Sequence, residues 1–388
     1  MTAPDPRVLV QQAIEGLRRG DPATARDRFQ QVIATGVADA SVWLGLALAL
    51  RGLNDKPASL VAIDQALGLE PRNLRARVMK ADHFAEAGDN RAAAAFYAAV
   101  VRAAPPPEQL SPELRGEVAR ARVMSQRYAD DYEAFLREKL AGQGAAADSR
   151  FGQALDLLFG RKQIYLQQPK VFYFPELPQI QFYDRALFPW MDALEAATDA
   201  IRDELMAVMQ DQGAFRPYLE SPSDRPAQDP HGMLDNPDWG AFYLWRDGQP
   251  VAENIARCPA TMAALEGAPL GMIKGRTPSV LFSLLRPGAA IPPHHGFVNT
   301  RLICHLPLIV PDGCAFRVGN DTRPWREGQA WAFDDTIEHE AWNRSDQTRV
   351  ILLFDIWRPE LTGEERAQLA AMFEGIDDYG AGGEAWSA

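Results

Sequence analysis

The chain has 388 residues, with 40 Lys+Arg against 52 Asp+Glu, so its formal net charge is −12 at pH 7. That length predicts two domains or three, and 47% hydrophobic with 24% charged residues is the mix of a soluble globular protein, not a disordered one. The acidic balance argues against nucleic acid as a partner, because neutralising phosphates needs a basic face. No apolar run approaches the roughly 20 residues that span a bilayer, so no membrane partner is expected. The segment MTAPDPRVLVQQAIEGLRRG carries both charge signs and no continuous apolar core, so no secretory signal is expected. Three scattered cysteines (Cys258, Cys304 and Cys314) fit neither a disulfide framework nor a CxxC zinc site, and the expected location is the reducing cytoplasm.

The first hundred residues are rich in Ala, Leu and Arg and read as successive amphipathic helices. Three stretches resemble one another: TARDRFQQVIATG from Thr24, ASLVAIDQALGLEP from Ala58 and RAAAAFYAAVVRAAP from Arg91, starting 34 and then 33 residues apart. The turns Gly20-Asp21, Asn54-Asp55 and Gly88-Asp89 precede them, and Pro71 and Pro105 close the last two units. A helix–turn–helix unit of this period resembles the tetratricopeptide repeat (TPR), with an irregular helical bundle as the alternative. This array and a further helix from about Pro112 to Leu140 make up a first domain, residues 1–140. The small, polar run AGQGAAADSR makes 141–150 a linker, or else a loop inside one helical domain. Residues 151–388 form the expected second domain.

Beyond Phe151 aromatics and prolines become dense, and one helix is expected over roughly Met191 to Met209. From about Ser279, short β-rich runs alternate with Gly/Pro/Asn/Asp turns: VLFSLL, RLICHLPLIV, CAFRV, AWAFDD, EHEAW and RVILLFDIW. That rhythm predicts an antiparallel sandwich or barrel rather than a doubly wound parallel sheet. No GxGxxG or GxxxxGKS/T loop appears, which leaves nucleotide chemistry without support.

There are six histidines, and His294, His295, His305 and His339 lie within 46 residues of the β-rich half. His83 falls on a repeat helix and His231 in a polar loop, from which it could reach a substrate. Imidazole is the commonest nitrogen ligand for iron and zinc. Successive strand residues point to opposite faces, so only one of His294 and His295 can point inward. By the same rule Arg301, Ile303 and His305 share a face, and Leu302 and Cys304 take the other. His339 starts a strand, and Arg349 heads RVILLFDIW, a strand expected to return beside it. Asp334 and Asp335 read as turn residues. Two histidines on separate strands plus a buried arginine suggest a non-haem Fe(II) centre with a dicarboxylate cosubstrate. Such a metal needs few protein ligands and open positions. The distal carboxylate needs a planar, bidentate cation, which arginine supplies better than lysine.

The run from Ser283 to Leu361, through PHHG, NTRL, HLPL, FDDTIEHEAW and DIWRPEL, resembles the core of the aspartyl/asparaginyl β-hydroxylase family. Weaker echoes lie upstream in FPELP, in WGAFYLW and around Cys258-Pro259. The resemblance implies a 2-oxoglutarate-dependent dioxygenase on a double-stranded β-helix (jelly-roll) fold, in a family that includes members with a helical-repeat segment ahead of the catalytic domain. Position by position it implies His294 and His339 as the iron ligands and Arg349 with Ser283 on the distal carboxylate of 2-oxoglutarate. It also implies His305 against the cosubstrate's carboxylates and Arg301 as a basic position lining the site, while His295 faces solvent or the rim. Gly296 stands where most related oxygenases carry a carboxylate ligand, as in the family itself, which implies a water at that coordination position. Ile303 stands where members acting on Asp/Asn side chains often carry a second arginine.

The expected protein is thus multidomain α + β: a TPR-like helical array followed by a double-stranded β-helix catalytic domain. The expected reaction hydroxylates a C–H bond with Fe(II), 2-oxoglutarate and O2, releasing succinate and CO2. By the resemblance, the substrate is the β-carbon of Asp or Asn in a peptide or protein, or a free amino acid or other small molecule. The concave face of a helical repeat favours an extended chain and a protein partner. Two other readings stay open: an interaction module whose jelly roll is a scaffold with little turnover, and a cupin-like metal enzyme that does not use 2-oxoglutarate.

Overall fold

The computed structural model describes residues 5–143, 149–211, 213–221 and 232–379; His231 and part of the 141–150 segment lie outside them. It divides into two units, 1–161 and 162–388.

Asp and Asn punctuate the first unit at a fixed interval, and each starts a helix. The six helices are α1 (Pro6–Arg18), α2 (Pro22–Ala34), α3 (Ala40–Gly52), α4 (Lys56–Leu69), α5 (Leu74–Glu86) and α6 (Asn90–Ala103). Their N-caps are Asp5, Asp21, Asp39, Asp55, Asn73 and Asp89, and each side chain accepts a backbone N–H from its helix's first turn. Such a cap satisfies a donor that the helix cannot, and is worth about 1 kcal/mol. Helices α1, α3 and α5 start at 6, 40 and 74, and α2, α4 and α6 at 22, 56 and 90, so both series recur every 34 residues. The similar stretches seen in the sequence are α2, α4 and α6, the second helix of each pair. Ala13, Ala25, Ala47, Ala66 and Ala76 are completely buried in their shared core, where small side chains let the helices approach closely.

Two more helices, α7 (Pro112–Leu140) and α8 (Arg150–Leu158), complete this unit. Arg161 and Arg137 both bind the buried carboxylate of Glu133, and Arg137 also reaches Asp156. These ion pairs fasten α8 to α7, so the second unit begins at 162 rather than at 151.

In the second unit the expected helix Met191–Met209 is two helices, α9 (Met191–Ala196) and α10 (Thr198–Met209). The Thr198 hydroxyl donates to Glu195 O at 2.6 Å, a local bond of the kind that bends helices. Eleven strands follow: β1 (Arg216–Pro217), β2 (Trp239–Arg246), β3 (Gln249–Pro250), β4 (Val280–Leu285), β5 (Ala290–His294), β6 (Arg301–Ile309), β7 (Cys314–Val318), β8 (Asp321–Pro324), β9 (Trp331–Phe333), β10 (His339–Asn343) and β11 (Arg349–Trp357). They form two antiparallel sheets, one in the order β1-β2-β4-β11-β6-β9 with β3 beside β2, the other β5-β10-β7-β8. Strict alternation sets the layers. Val350, Leu352, Phe354, Leu302, Cys304 and Leu306 pack under α9 and α10. Ile351, Ile303 and Leu285 turn the other way and meet Ile291, Phe316, Val318 and Ala341 of the second sheet.

One expected pairing is not formed. β11 lies between β4 and β6, while β10 pairs with β5 and β7. Asn343 ends β10 and donates from one amide to Leu285 O, Arg286 O and Gln347 O, which pins the turn that carries the chain across to the other sheet. Among the described residues no helix is long and apolar enough to cross a membrane.

Packing in the helical unit is tight enough to invert a usual preference. Alanine normally gains about 1 kcal/mol over glycine inside a helix. A Cβ at Gly45, however, would overlap the Phe29 ring, and overpacking costs about 1–3 kcal/mol. Gly45→Ala is expected to lower the stability of the full chain in urea denaturation, where propensity alone would raise it.

Candidate functional site

His294 is the last residue of β5 and His339 the first of β10, and they are direct partners in the ladder. Their ring centroids are 4.0 Å apart. Each Nδ1 faces a carbonyl two residues upstream: Pro292 O at 2.8 Å for His294 and Ile337 O at 3.0 Å for His339. A carbonyl only accepts, so the ring proton sits on Nδ1 and the lone pair on Nε2 in both rings. That is the tautomer a metal ligand needs. Burial, reinforced by His294, holds the His339 pKa well below the ordinary imidazole value, so this ring is neutral at pH 7. Two neutral imidazoles suit a transition-metal ion. Among the described residues no group of three His, Cys, Asp or Glu donors gathers at one point.

Gly296 explains part of that. A Cβ there would overlap the carboxyl of Asp335, whose backbone oxygen accepts from Gly296 N at 2.6 Å. Asp335 is therefore not simply a turn residue. Its neighbour Asp334 does shape the turn, accepting from Thr336 N and Thr336 Oγ1. Asp335 instead turns toward Arg301, 3.7 Å away, and Arg301 lies equally far from Asp355. Burial raises the Asp335 pKa to about 7, opposed by Arg301. Sequence reasoning missed Asp335 and Asp355; Asp355 sits among apolar residues on the inward face of RVILLFDIW, and that was the signal available.

On the facing sheet, Arg349 is 1% exposed. Its Nη1 donates to Ser283 O at 3.2 Å, its guanidinium lies 4.7 Å from the Trp325 ring centroid, and its buried Nε has no hydrogen-bond partner. No carboxylate among the described residues forms an ion pair with it. Desolvation accordingly lowers its pKa to about 10. Ser283 is also buried, and its hydroxyl accepts from Trp239 Nε1 at 3.3 Å. Trp325 Nε1 donates to His305 Nδ1 at 3.4 Å, which leaves the His305 proton on Nε2. Burial and the nearby Arg349 charge keep His305 neutral, far below its ordinary pKa. Trp239 and Trp325, absent from the sequence reading, thus orient two of the residues it named. Ser283, Ile303 and Arg349 lie on the inner layer of this sheet with His305, while His295 is half-buried beside the pair with Glu338 and Lys170 nearby.

Below pH 6.5 an unfolded histidine takes up a proton that buried His305 refuses. Stability is therefore lost as pH falls below 6.5, at up to about 1.4 kcal/mol per pH unit for one such group. His305→Gln is expected to flatten the acid limb of a stability–pH profile by about that slope, read from denaturation midpoints between pH 6.5 and 5.

Residues 195–359 match the profile of the aspartyl/asparaginyl beta-hydroxylase family. Human aspartyl/asparaginyl beta-hydroxylase is 35% identical over 184 residues, which cover 46% of this chain and 22% of that protein. The ornithine lipid ester-linked acyl 2-hydroxylase of Rhizobium tropici is 38% identical over 180 residues, covering 46% of this chain and 60% of that protein. The matched region therefore spans about a fifth of the human relative and three fifths of the bacterial one. Among solved structures, the TPR2B domain in a pHsp70 complex of yeast Sti1 overlaps 32% of this chain and 97% of its own at 16% identity, with a TM-score of 0.28.

Proposed function

We propose that the chain is an Fe(II)- and 2-oxoglutarate-dependent hydroxylase, resembling the aspartyl/asparaginyl β-hydroxylase family, with His294 and His339 holding the metal. The observation that carries this reading is Arg349, a fully buried guanidinium with no carboxylate partner among the described residues, facing the same interior as the histidine pair. A buried charge without a counter-ion costs several kcal/mol unless an anion completes it, and the distal carboxylate of 2-oxoglutarate would do so. The strand order supports a double-stranded β-helix. Counting β4 to β11 as one to eight, the sheets run one-eight-three-six and two-seven-four-five.

When bound, the iron would supply dioxygen activation coupled to decarboxylation of 2-oxoglutarate, placing one oxygen atom in the substrate C–H bond and the other in succinate, with CO2 released. The rest falls to the chain's own groups. Pro292 O and Ile337 O hold the two imidazoles in one tautomer. Arg349 and the Ser283 hydroxyl bind the distal carboxylate, and His305 Nε2–H donates to a cosubstrate carboxylate. Trp325 orients both His305 and Arg349 from one ring. The apolar layer between the sheets excludes water.

The substrate on this reading is a C–H bond at the β-carbon of Asp, Asn or a related residue in a peptide, with the helical repeats as a docking surface for a protein partner. A second reading is favoured by position 303. Ile303 brings no charge, and Arg301 already faces two carboxylates, Asp335 and Asp355. Such an interior suits an uncharged chain in a free small molecule better than an acidic side chain, and one relative is named for an acyl group. The three cysteines are buried and free, which fits a reducing compartment such as the cytoplasm.

Incubation with Fe(II), 2-oxoglutarate and O2 is expected to give succinate, and a product about 16 Da heavier in one of a panel of peptides, amino acids and acyl compounds. His339→Ala should abolish both. Equal inactivity of wild type and variant would favour a scaffold, and succinate formation unchanged in the variant would refute the assigned ligand. Arg349→Met is expected to weaken 2-oxoglutarate binding by at least about thirtyfold, the loss of a charge-assisted pair, with metal-free melting temperature unchanged or higher because an unpaired buried charge is gone. Calorimetric titration and thermal melts separate the two effects.

A further inference from the structure

We infer that Arg358 and Asp334 are positioning residues for the histidine pair, through a buried polar network that ties together the two loops flanking it. This inference rests on the reading of His294 and His339 as metal ligands. Both histidines sit at strand ends, so their relative placement depends on the chain just after His294 and just before His339. Arg358 and Asp334 are completely buried, and Arg358 Nη1 donates at 3.0 Å to Asn299 O and at 3.0 Å to Asp334 Oδ2. One nitrogen thus bridges the loop after His294 and the turn before His339.

The same two segments are bridged a second time. Gln167 Nε2 donates to Asp334 Oδ2 at 2.6 Å, and its Oε1 accepts from Asn299 Nδ2 at 3.0 Å. From Asp334 the chain of bonds runs directly to the histidine. Its Oδ1 accepts from Thr336 N and Oγ1, its backbone oxygen accepts from Ile337 N at 3.3 Å, and Ile337 O holds His339 Nδ1. Gln168 N donates to Thr336 O and Lys170 N to Gly296 O, so one strap fastens both loops. Arg358 completes the seat with Pro178 O at 2.7 Å and with Tyr183 Oη.

A purely structural ion pair would be expected to hold distant elements together. This one joins the two short segments whose spacing sets the distance between the imidazoles. A centre with only two protein ligands has no third donor to restore that spacing, so the burden falls on the support. Loss of such outer support typically weakens metal binding by about 10–100-fold.

The test uses Co(II) as a probe on the full chain, read by absorption titration, with circular dichroism and melting of the metal-free protein in parallel. Arg358→Lys shortens the bridge, and Thr336→Val removes only the hydroxyl bond to Asp334. The expected result is a folded protein with Co(II) affinity weakened about tenfold or more and an altered cobalt absorption band in both variants. A lowered melting temperature with unchanged affinity and band would overturn the inference. Should Arg358→Lys fail to fold, Thr336→Val decides by the same readout. If wild type takes up no Co(II), or His339→Ala binds it equally well, the metal reading itself fails and the positioning role falls with it.

Discussion

The pairing of β5 with β10 is the constraint on which the second unit turns. Ladder register is quantised in whole residues, and a slip of one would send every side chain of β10 to the opposite face. His294 opposite His339 is therefore a consequence of sheet geometry before it is a feature of any site. Burial of Ala341 on one side of that register, and the Asn343 turn at its end, keep it from slipping. The carbonyls at 292 and 337 then choose the tautomer. Each layer of order depends on the one beneath it.

Two buried arginines show what the interior can and cannot satisfy by itself. Arg358 meets a carboxylate, two carbonyls and a phenol, and its charge is answered within the fold. Arg349 meets a carbonyl and an indole face and no acid among the described residues. Folding the second arrangement costs energy that the first does not. An isolated desolvated charge is retained where something outside the chain repays it, which is why Arg349 points to a ligand and Arg358 to support.

Much of this was readable from the residues. VLFSLL, CAFRV and RVILLFDIW coincide with β4, β7 and β11, because alternating apolar runs between turn residues leave few other options. The strand carrying His294 was hidden by Pro292 and Pro293. Proline is tolerated there because β5 is the edge of its sheet. The partner of β11 was misjudged for a related reason: periodicity reports which face a residue takes, but not which sheet a strand joins. The repeat was seen through its second helices, although the evenly spaced Asp and Asn caps marked all six. Asp335 was missed because adjacent aspartates look alike in a sequence. Their opposite directions are decided by Arg358 on one side and Arg301 on the other.

The shared volume at Gly296 and Asp335 also bears on how such a centre can change over time. An acid introduced at 296 meets one already in place, so neither position can be altered in isolation without an intermediate that is crowded or emptied. The pair behaves as a single heritable unit, and any lineage moving toward a three-donor centre would have to pass through loss at one position before gain at the other.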